Sequence, residues 1–208
     1  MELPQNQIPL QELMANLNFK ENNLEGRTLR WTACQCLYQL STDPSHRTAC
    51  NSGAVKALAE AFTDVDVSVA AQAARAAWGL VMGSDKAKSD LYAQNGIAGL
   101  VGLLKRGDDT VRAQAAGALA ESCHGHTGNK ELVGSLGGIG VLVAQLRGTT
   151  GLLRQGLCRA LCNSLTRTES NIALASEAGA VEVLALLCGT RRSERRAGSP
   201  PLKRQPRQ

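Results

Sequence analysis

Residues 95–123 read NGIAGLVGLLKRGDDTVRAQAAGALAESC, and this stretch contains two helical patterns separated by a polar turn. The first pattern places apolar residues at Ile97, Leu100 and Leu104, a spacing that puts them on one face of a helix. The second pattern is rich in alanine, and Asp108 stands just before it at a position that favours a helix N-cap. The stretch therefore predicts two consecutive helices that pack together.

The same pattern returns every 42 residues along the chain. The column that begins with Gly53 continues with Asn95, Gly137 and Gly179, so each copy contains a residue that tolerates a positive φ. A second column consists of favoured N-cap residues, namely Asp66, Asp108 and Thr150. Units of this size cannot bury their apolar faces alone and must stack on their neighbours. The period therefore predicts a helical solenoid.

Each unit is predicted to contain a short, a middle and a long helix, with the first full set at about 45–52, 54–62 and 66–82. The predicted long helices lie near residues 28–41, 66–82, 108–123 and 150–166. We expect a solenoid over residues 1–190 and a disordered basic tail over residues 191–208. The predicted units are a partial unit 8–41, repeats at about 45–83, 87–125 and 129–167, and a partial unit 171–188.

These copies resemble armadillo repeats. The segments that carry the resemblance are NSGAVKAL, QNGIAGLVGLL and EAGAVEVLALL, together with long-helix sequences such as DDTVRAQAAGALAESC. The resemblance covers roughly residues 8–188 and implies an all-α fold, a right-handed superhelical solenoid of three-helix units. HEAT arrays, the nearest alternative, use two helices per unit and lack the glycine turn. In armadillo proteins the long helices line a concave groove that often binds extended peptides.

Importin-α-like armadillo proteins carry a Trp on each long helix and an Asn one turn later. The positions that match the Trp column here are Gln35, Arg75, Gly117 and Arg159. Those that match the Asn column are Gln39, Gly79, Glu121 and Asn163. An import receptor for basic cargo is therefore disfavoured, because Arg75 and Arg159 would repel such cargo.

We expect instead a polar ladder that binds an extended segment of a partner protein. Its members are the aromatic anchor Trp31 with Gln35, Gln39, Arg75, Glu121, Arg159 and Asn163. The alternative for each of these residues is a solvated helix face, and for Trp31 it is a packing role.

Charge is unevenly distributed along the chain. The formal net charge is +5, yet residues 191–208 alone hold seven Lys or Arg and one Glu, so the rest of the chain is nearly neutral. This weakens any argument for a nucleic-acid-binding face on the folded part. No apolar run approaches the roughly 18 residues of a membrane span, and the first residues lack a signal-peptide pattern. We expect no membrane partner and a cytoplasmic location, with a nuclear one as the alternative.

Residues with catalytic or metal-binding chemistry do not form a recognisable site. Most of the seven cysteines replace small or apolar residues in their repeat columns, as buried free thiols do. Cys123, His124 and His126 are the one cluster of ligand types, whereas a structural zinc site normally has four ligands. Phosphate-binding, HExxH and nucleophile-elbow motifs do not occur. We therefore expect no enzyme activity, no metal and no cofactor.

The leading hypothesis is a non-catalytic adaptor or scaffold that binds partner segments in the concave groove. A second hypothesis is nuclear transport or nucleic-acid association through the tail, and a third is a fragment of a larger armadillo scaffold of vacuolar, ubiquitin-ligase or axonemal type. The tail residues that the second hypothesis invokes are Arg191, Arg192, Arg195, Arg196, Lys203 and Arg204. We also expect the C-terminal end to self-associate or fray, because the last middle helix carries apolar residues such as Val181 and Leu184 that no later helix covers.

Overall fold

The computed structural model describes residues 9–43 and 51–197, with side chains over 9–43 and 53–189. This part of the chain forms twelve α-helices and no β-strand. In chain order they are α1 (Leu10–Leu17), α2 (Leu24–Thr42), α3 (Asn51–Ala61), α4 (Val67–Val81), α5 (Asp85–Ala93), α6 (Gly96–Leu104), α7 (Asp109–Cys123), α8 (Thr127–Ser135), α9 (Gly138–Leu146), α10 (Gly151–Leu165), α11 (Glu169–Glu177) and α12 (Ala180–Ala197). The predicted short helix at 45–52 falls mainly on residues outside the described part.

The helices recur in groups of three. Short helices α5, α8 and α11 begin at residues 85, 127 and 169, and middle helices α6, α9 and α12 begin at 96, 138 and 180. Long helices α4, α7 and α10 begin at 67, 109 and 151, so equivalent helices start 42 residues apart. The long helices pack side by side, α2 on α4, α4 on α7 and α7 on α10. They therefore form one continuous layer along the solenoid.

Alanine makes this close packing of long helices possible. On α4, residues Ala70, Ala73, Ala74 and Ala77 are at most 1% exposed. Small side chains at a helix contact reduce the distance between the helix axes. The middle helices supply the larger core residues, and Ile97 on α6 is fully buried. The core is thus a continuous layer between long and middle helices.

The predicted turn column is confirmed at three of its four positions. Asn95, Gly137 and Gly179 have φ angles of 55°, 69° and 77°, and each directly precedes a middle helix. The prediction is wrong for Gly53, because α3 already begins at Asn51 and residue 53 lies within it. A second left-handed column follows the long helices and was not predicted. Its members are Gly83, Gly125 and Arg167, at 70°, 74° and 58°.

The predicted N-cap column is confirmed for its two aspartates. The Asp66 carboxylate accepts the backbone N–H of Ser68 at 2.8 Å, and Asp108 accepts two backbone N–H groups of α7 at 2.9 and 3.0 Å. Thr150 occupies the N-cap position of α10, but its side chain makes no cap hydrogen bond. The next residue, Gly151, has a left-handed φ of 59°, which a regular first helical turn does not have.

The C-terminal helix is longer than predicted. Helix α12 runs to Ala197, so Arg191, Arg192, Arg195 and Arg196 lie on a helix rather than in a disordered tail. The physical reason is local, since the sequence between Gly189 and Gly198 contains no Pro or Gly and is rich in arginine, a good helix former. Lys203 and Arg204 of the predicted tail lie outside the described residues.

Buried asparagines join successive repeats. The Asn129 amide on α8 donates to the Lys88 carbonyl at 3.2 Å and to the Ser122 carbonyl at 2.8 Å, both in the preceding repeat. One period later, Asn171 on α11 donates to the carbonyls of the equivalent residues, Lys130 and Ser164, at 2.8 and 2.9 Å. Both asparagines are at most 1% exposed. A buried carbonyl without a partner is costly, so these amides stabilise the repeat interfaces.

Buried lysines stabilise the interior of the same repeats. The Lys88 ammonium donates to the His124 carbonyl at 2.8 Å, and the Lys130 ammonium donates to the Thr166 carbonyl at 2.8 Å. Each of these carbonyls belongs to the C-cap residue of a long helix. A positive charge at this position interacts favourably with the negative end of the helix dipole.

Candidate protein-binding groove

Two cation–π contacts link arginines of the predicted polar ladder to aromatic rings on other long helices. The guanidinium carbon of Arg75 on α4 lies 4.1 Å from the centre of the Tyr38 ring on α2. That of Arg159 on α10 lies 5.9 Å from the centre of the Trp78 ring on α4. Both distances fall within the range in which a cation is attracted to an aromatic face. The contacts bring together side chains from three of the four long helices.

The Trp78 ring reaches Arg159 by lying across Gly117 of the intervening helix α7. A Cβ atom on Gly117 would be 2.7 Å from two ring atoms of Trp78, closer than real carbon atoms approach. Gly117 therefore has no side chain of its own at this level of the groove because the indole of the preceding repeat occupies that space. Trp78 therefore provides the aromatic surface that the residues of the predicted Trp column lack.

Glu121 and Arg159 form an ion pair on the same surface. Their closest side-chain atoms are 3.3 Å apart, with the Arg159 side chain 52% exposed and that of Glu121 13% exposed. Arg159 therefore lies between a carboxylate and an indole, and its guanidinium remains accessible to a ligand. Because the Arg159 end of the pair is half exposed to water, the pair contributes little to stability, and Arg159 is available to change partner on binding.

Asn163 keeps the amide of the importin-type column but directs part of it inward. The residue is half-buried, and its Nδ2 atom donates to the Ala120 carbonyl of α7 at 2.7 Å. Only part of its hydrogen-bonding capacity can therefore serve a bound segment.

The three predicted residues of α2 occupy different settings. Gln35 is half-buried and Gln39 is exposed. Trp31 is half-buried and lines a cavity of about 240 Å³ between the first turns of α2 and α4, together with Leu24 and Val69. Neither Tyr38 nor Arg75 lines this cavity, and Trp31 lies about two helical turns before Tyr38 on α2.

Sequence reasoning missed Tyr38 and Trp78. The two residues are 40 positions apart, the same offset that aligns the first partial unit with the next repeat. The chain contains only two Trp and two Tyr, so an aromatic residue at equivalent positions of two units was a detectable signal. We define the aromatic–arginine ladder as Tyr38, Arg75, Trp78 and Arg159.

Two glutamines one helical turn before the ladder carry unsatisfied acceptors. Within the described residues, Gln72 Oε1 on α4 and Gln114 Oε1 on α7 are buried and have no hydrogen-bond partner. Gln72 precedes Arg75 by three residues and Gln114 precedes Gly117 by three, so each shares a helix face with its ladder position. An unmade hydrogen bond of this kind costs about 1–3 kcal/mol.

Among the described residues, Cys34 and Cys123 are buried and His126 caps a helix. Burial raises the pKa of Cys34 to about 12 and that of Cys123 to about 11, so neither thiol ionises near neutral pH. The His126 ring caps α8 by accepting the Asn129 backbone N–H at 3.1 Å, while His124 is exposed at the end of α7. Over residues 9–43 and 51–197, no group of three or more His, Cys, Asp or Glu is arranged to hold a metal ion.

No single helix in the described part of the chain is long and apolar enough to cross a bilayer. Helix α11 and residues 180–189 of α12 reach the required length and apolarity only as a pair, which is bent by 73°.

Solved structures share this architecture. An engineered protein from the Northeast Structural Genomics Consortium superposes with a TM-score of 0.77 at 28% identity, over 84% of this chain and 70% of that chain. A designed armadillo repeat protein in complex with the peptide (KR)4 superposes with a TM-score of 0.74 at 20% identity, over 85% of this chain and 73% of its own. A structure of computationally designed armadillo repeat proteins for modular peptide recognition superposes with a TM-score of 0.75 at 20% identity. This match covers 85% of this chain and 73% of that chain.

No protein-family model matches the chain, and no curated protein matches it in sequence. The structural matches together with the three-helix units show that the chain has an armadillo-like repeat fold. The all-α solenoid expected from the sequence is thereby confirmed.

Proposed function

We propose that this chain is a non-catalytic scaffold that binds an extended segment of a partner protein along the layer of long helices α2, α4, α7 and α10. The aromatic–arginine ladder is the observation that carries the proposal. Its two rings and two guanidinium groups come from α2, α4 and α10, and Gly117 of α7 leaves room for the Trp78 ring between them. Structural neighbours that were designed for peptide recognition support a binding role for this fold.

The ladder offers both kinds of contact that an extended segment needs. Trp78 provides an apolar plane that a partner side chain can cover, and rigid aromatic residues are frequent anchors of protein interfaces. The unsatisfied Oε1 atoms of Gln72 and Gln114 provide acceptors for backbone N–H groups after a change of side-chain rotamer. An extended chain presents such N–H groups at regular intervals.

Charge selects an acidic or neutral segment over a basic one. Arg75 and Arg159 are the cations of the ladder, and Glu121 already contacts Arg159. A partner carboxylate can form paired hydrogen bonds with an arginine fork, displacing Glu121 from Arg159. A lysine-rich segment would meet two like charges. The proposed partner thus differs in charge from the peptide (KR)4, which is in complex with one designed armadillo neighbour.

The proposal is tested by reversing the ladder charges. We expect the double substitution Arg75→Glu with Arg159→Glu to abolish binding of acidic peptides selected against the wild-type chain. The matched control is Lys56→Glu with Lys105→Glu, which changes the net charge equally at exposed positions of the middle-helix layer and should leave binding unchanged. If both double variants bind the peptides as tightly as the wild-type chain, with circular dichroism unchanged, the ladder surface is not the binding site.

A further inference from the structure

Helix α12 exposes the face that the earlier middle helices bury. Val181 is 69% exposed and Leu184 is 39% exposed. Their equivalents in the earlier repeats are at most 1% exposed, namely Val55, Ile97 and Ile139 for the first, and Leu58, Leu100 and Leu142 for the second. Cys188 is also exposed and lies on the same helical face, four residues after Leu184.

The earlier middle helices owe their burial to the long helix that follows each of them. Helix α3 packs against α4, α6 against α7, and α9 against α10. Helix α12 packs against α9 and α11, and no further helix follows it among the described residues. The exposed face of α12 is therefore a continuation of an interface that the solenoid already makes three times.

The long helices that cover this kind of face share one pattern. Each has 15 residues and buries side chains at positions i, i+4 and i+8. These residues are Val69, Ala73 and Ala77 on α4, Val111, Ala115 and Leu119 on α7, and Leu153, Leu157 and Leu161 on α10, all at most 7% exposed. The pattern defines the chemistry of a helix that fits the equivalent face of α12.

The positive charge near the end of α12 predicts the orientation of a helix that docks on this face. Residues 105–108 connect the end of α6 to the start of α7, so a covering helix begins close to the end of the middle helix it covers. The last two turns of α12 contain four arginines between residues 191 and 196. A helix docked on α12 in the same way would therefore begin near an arginine-rich segment, which favours acidic residues in its first turn.

We propose that the Val181–Leu184–Cys188 face of α12 is a docking site for an amphipathic helix of a partner protein. The helix has about 15 residues, apolar side chains at i, i+4 and i+8, and an acidic N-terminus. This surface is separate from the aromatic–arginine ladder, so a single chain holds an extended segment on its long helices and a helix at its C-terminal end.

The probe is a synthetic peptide of residues 108–123, which has the pattern, an Asp-Asp start and a terminal cysteine for a fluorophore. Binding to the full chain is measured by fluorescence polarisation. We expect saturable binding that Val181→Asp weakens by at least about tenfold, equivalent to about 1.4 kcal/mol. Val65→Asp is the matched control, because it places the same substitution at a valine that is 79% exposed and distant in sequence from α12. It should change the affinity by less than about twofold.

A second peptide, with Asp in place of Ala115 and Leu119, should not bind. Absence of binding by the original peptide, or equal binding to the Val181→Asp protein, would overturn the proposal. Sedimentation of the chain alone tests whether a second copy of the chain covers this face instead. A dimer that Val181→Asp dissociates would show that it does, and would overturn the proposal of a partner helix. The Arg75→Glu, Arg159→Glu variant should bind the helical peptide normally, so failure here is distinguishable from failure of the groove.

Discussion

Replacing Asn129 with alanine tests the hydrogen bonds that join the repeats. The substitution removes two buried bonds, at 2.8 and 3.2 Å, from an amide that is fully shielded from water. Each bond contributes about 1 kcal/mol net. Loss of the unsatisfied Oδ1 of the same side chain offsets part of the cost of leaving the Ser122 carbonyl, in the last turn of α7, without its donor. We therefore expect a loss of about 2 kcal/mol, which corresponds to roughly 4–8 °C in Tm for a chain of this size.

Urea denaturation followed by circular dichroism measures this loss, and Asn129→Asp separates its causes. Asp has nearly the same volume as Asn but presents only acceptors when ionised, so it faces two carbonyl oxygens and leaves a buried charge. We expect it to destabilise at least as much as alanine. Ser135→Ala, at an exposed position on the same helix, should change stability by less than about 0.5 kcal/mol. An Asn129→Asp variant as stable as wild type would refute the assignment of these hydrogen bonds.

Three further expectations follow from individual side chains. Gly117→Ala should displace the Trp78 ring, because its new Cβ would lie 2.7 Å from it; tryptophan fluorescence should shift, and an unchanged spectrum would contradict the ring position. Cys34 should resist iodoacetamide at pH 7, since burial raises its pKa to about 12, whereas exposed Cys162 should be alkylated; mass spectrometry of modified peptides decides, and rapid Cys34 labelling would count against its burial. Arg167→Gly should raise the free energy of unfolding by about 1 kcal/mol, because Arg167 holds a φ of 58° that costs a non-glycine residue about 1–2 kcal/mol; thermal melting that shows no gain would argue against that backbone geometry.

The fold was predictable because its determinants are local and repeated. Asn95, Gly137 and Gly179 recur at one spacing, and a left-handed turn needs such a residue whatever surrounds it. Where the prediction was wrong, one copy departs from the others. At Gly53 the helix already begins at Asn51, so the position contributes no turn. A column inferred from several copies does not reveal which copy is the exception.

The site was only partly predictable because its contacts cross between helices. The sequence identifies Arg75 and Arg159 as groove positions, and the structure places both beside aromatic rings. The reach of Trp78 across α7 depends on how far apart the long helices pack and on the missing side chain at Gly117. The inward bond of Asn163 likewise depends on the position of a carbonyl in the preceding repeat. Side-chain direction between repeats is set by packing, which periodicity alone does not describe.

The central claim is that extended protein segments bind along the aromatic–arginine ladder. The most direct measurement is the affinity of peptides selected from a random library for the wild-type, Trp78→Ala and Trp31→Ala proteins, each kept as the full chain. We predict that Trp78→Ala weakens binding by at least about tenfold, as for the loss of an aromatic anchor, whereas Trp31→Ala, at a cavity that no residue of the aromatic–arginine ladder lines, changes it by less than about twofold. Affinities that are unaffected by Trp78→Ala, with the fold intact by circular dichroism, would contradict the claim.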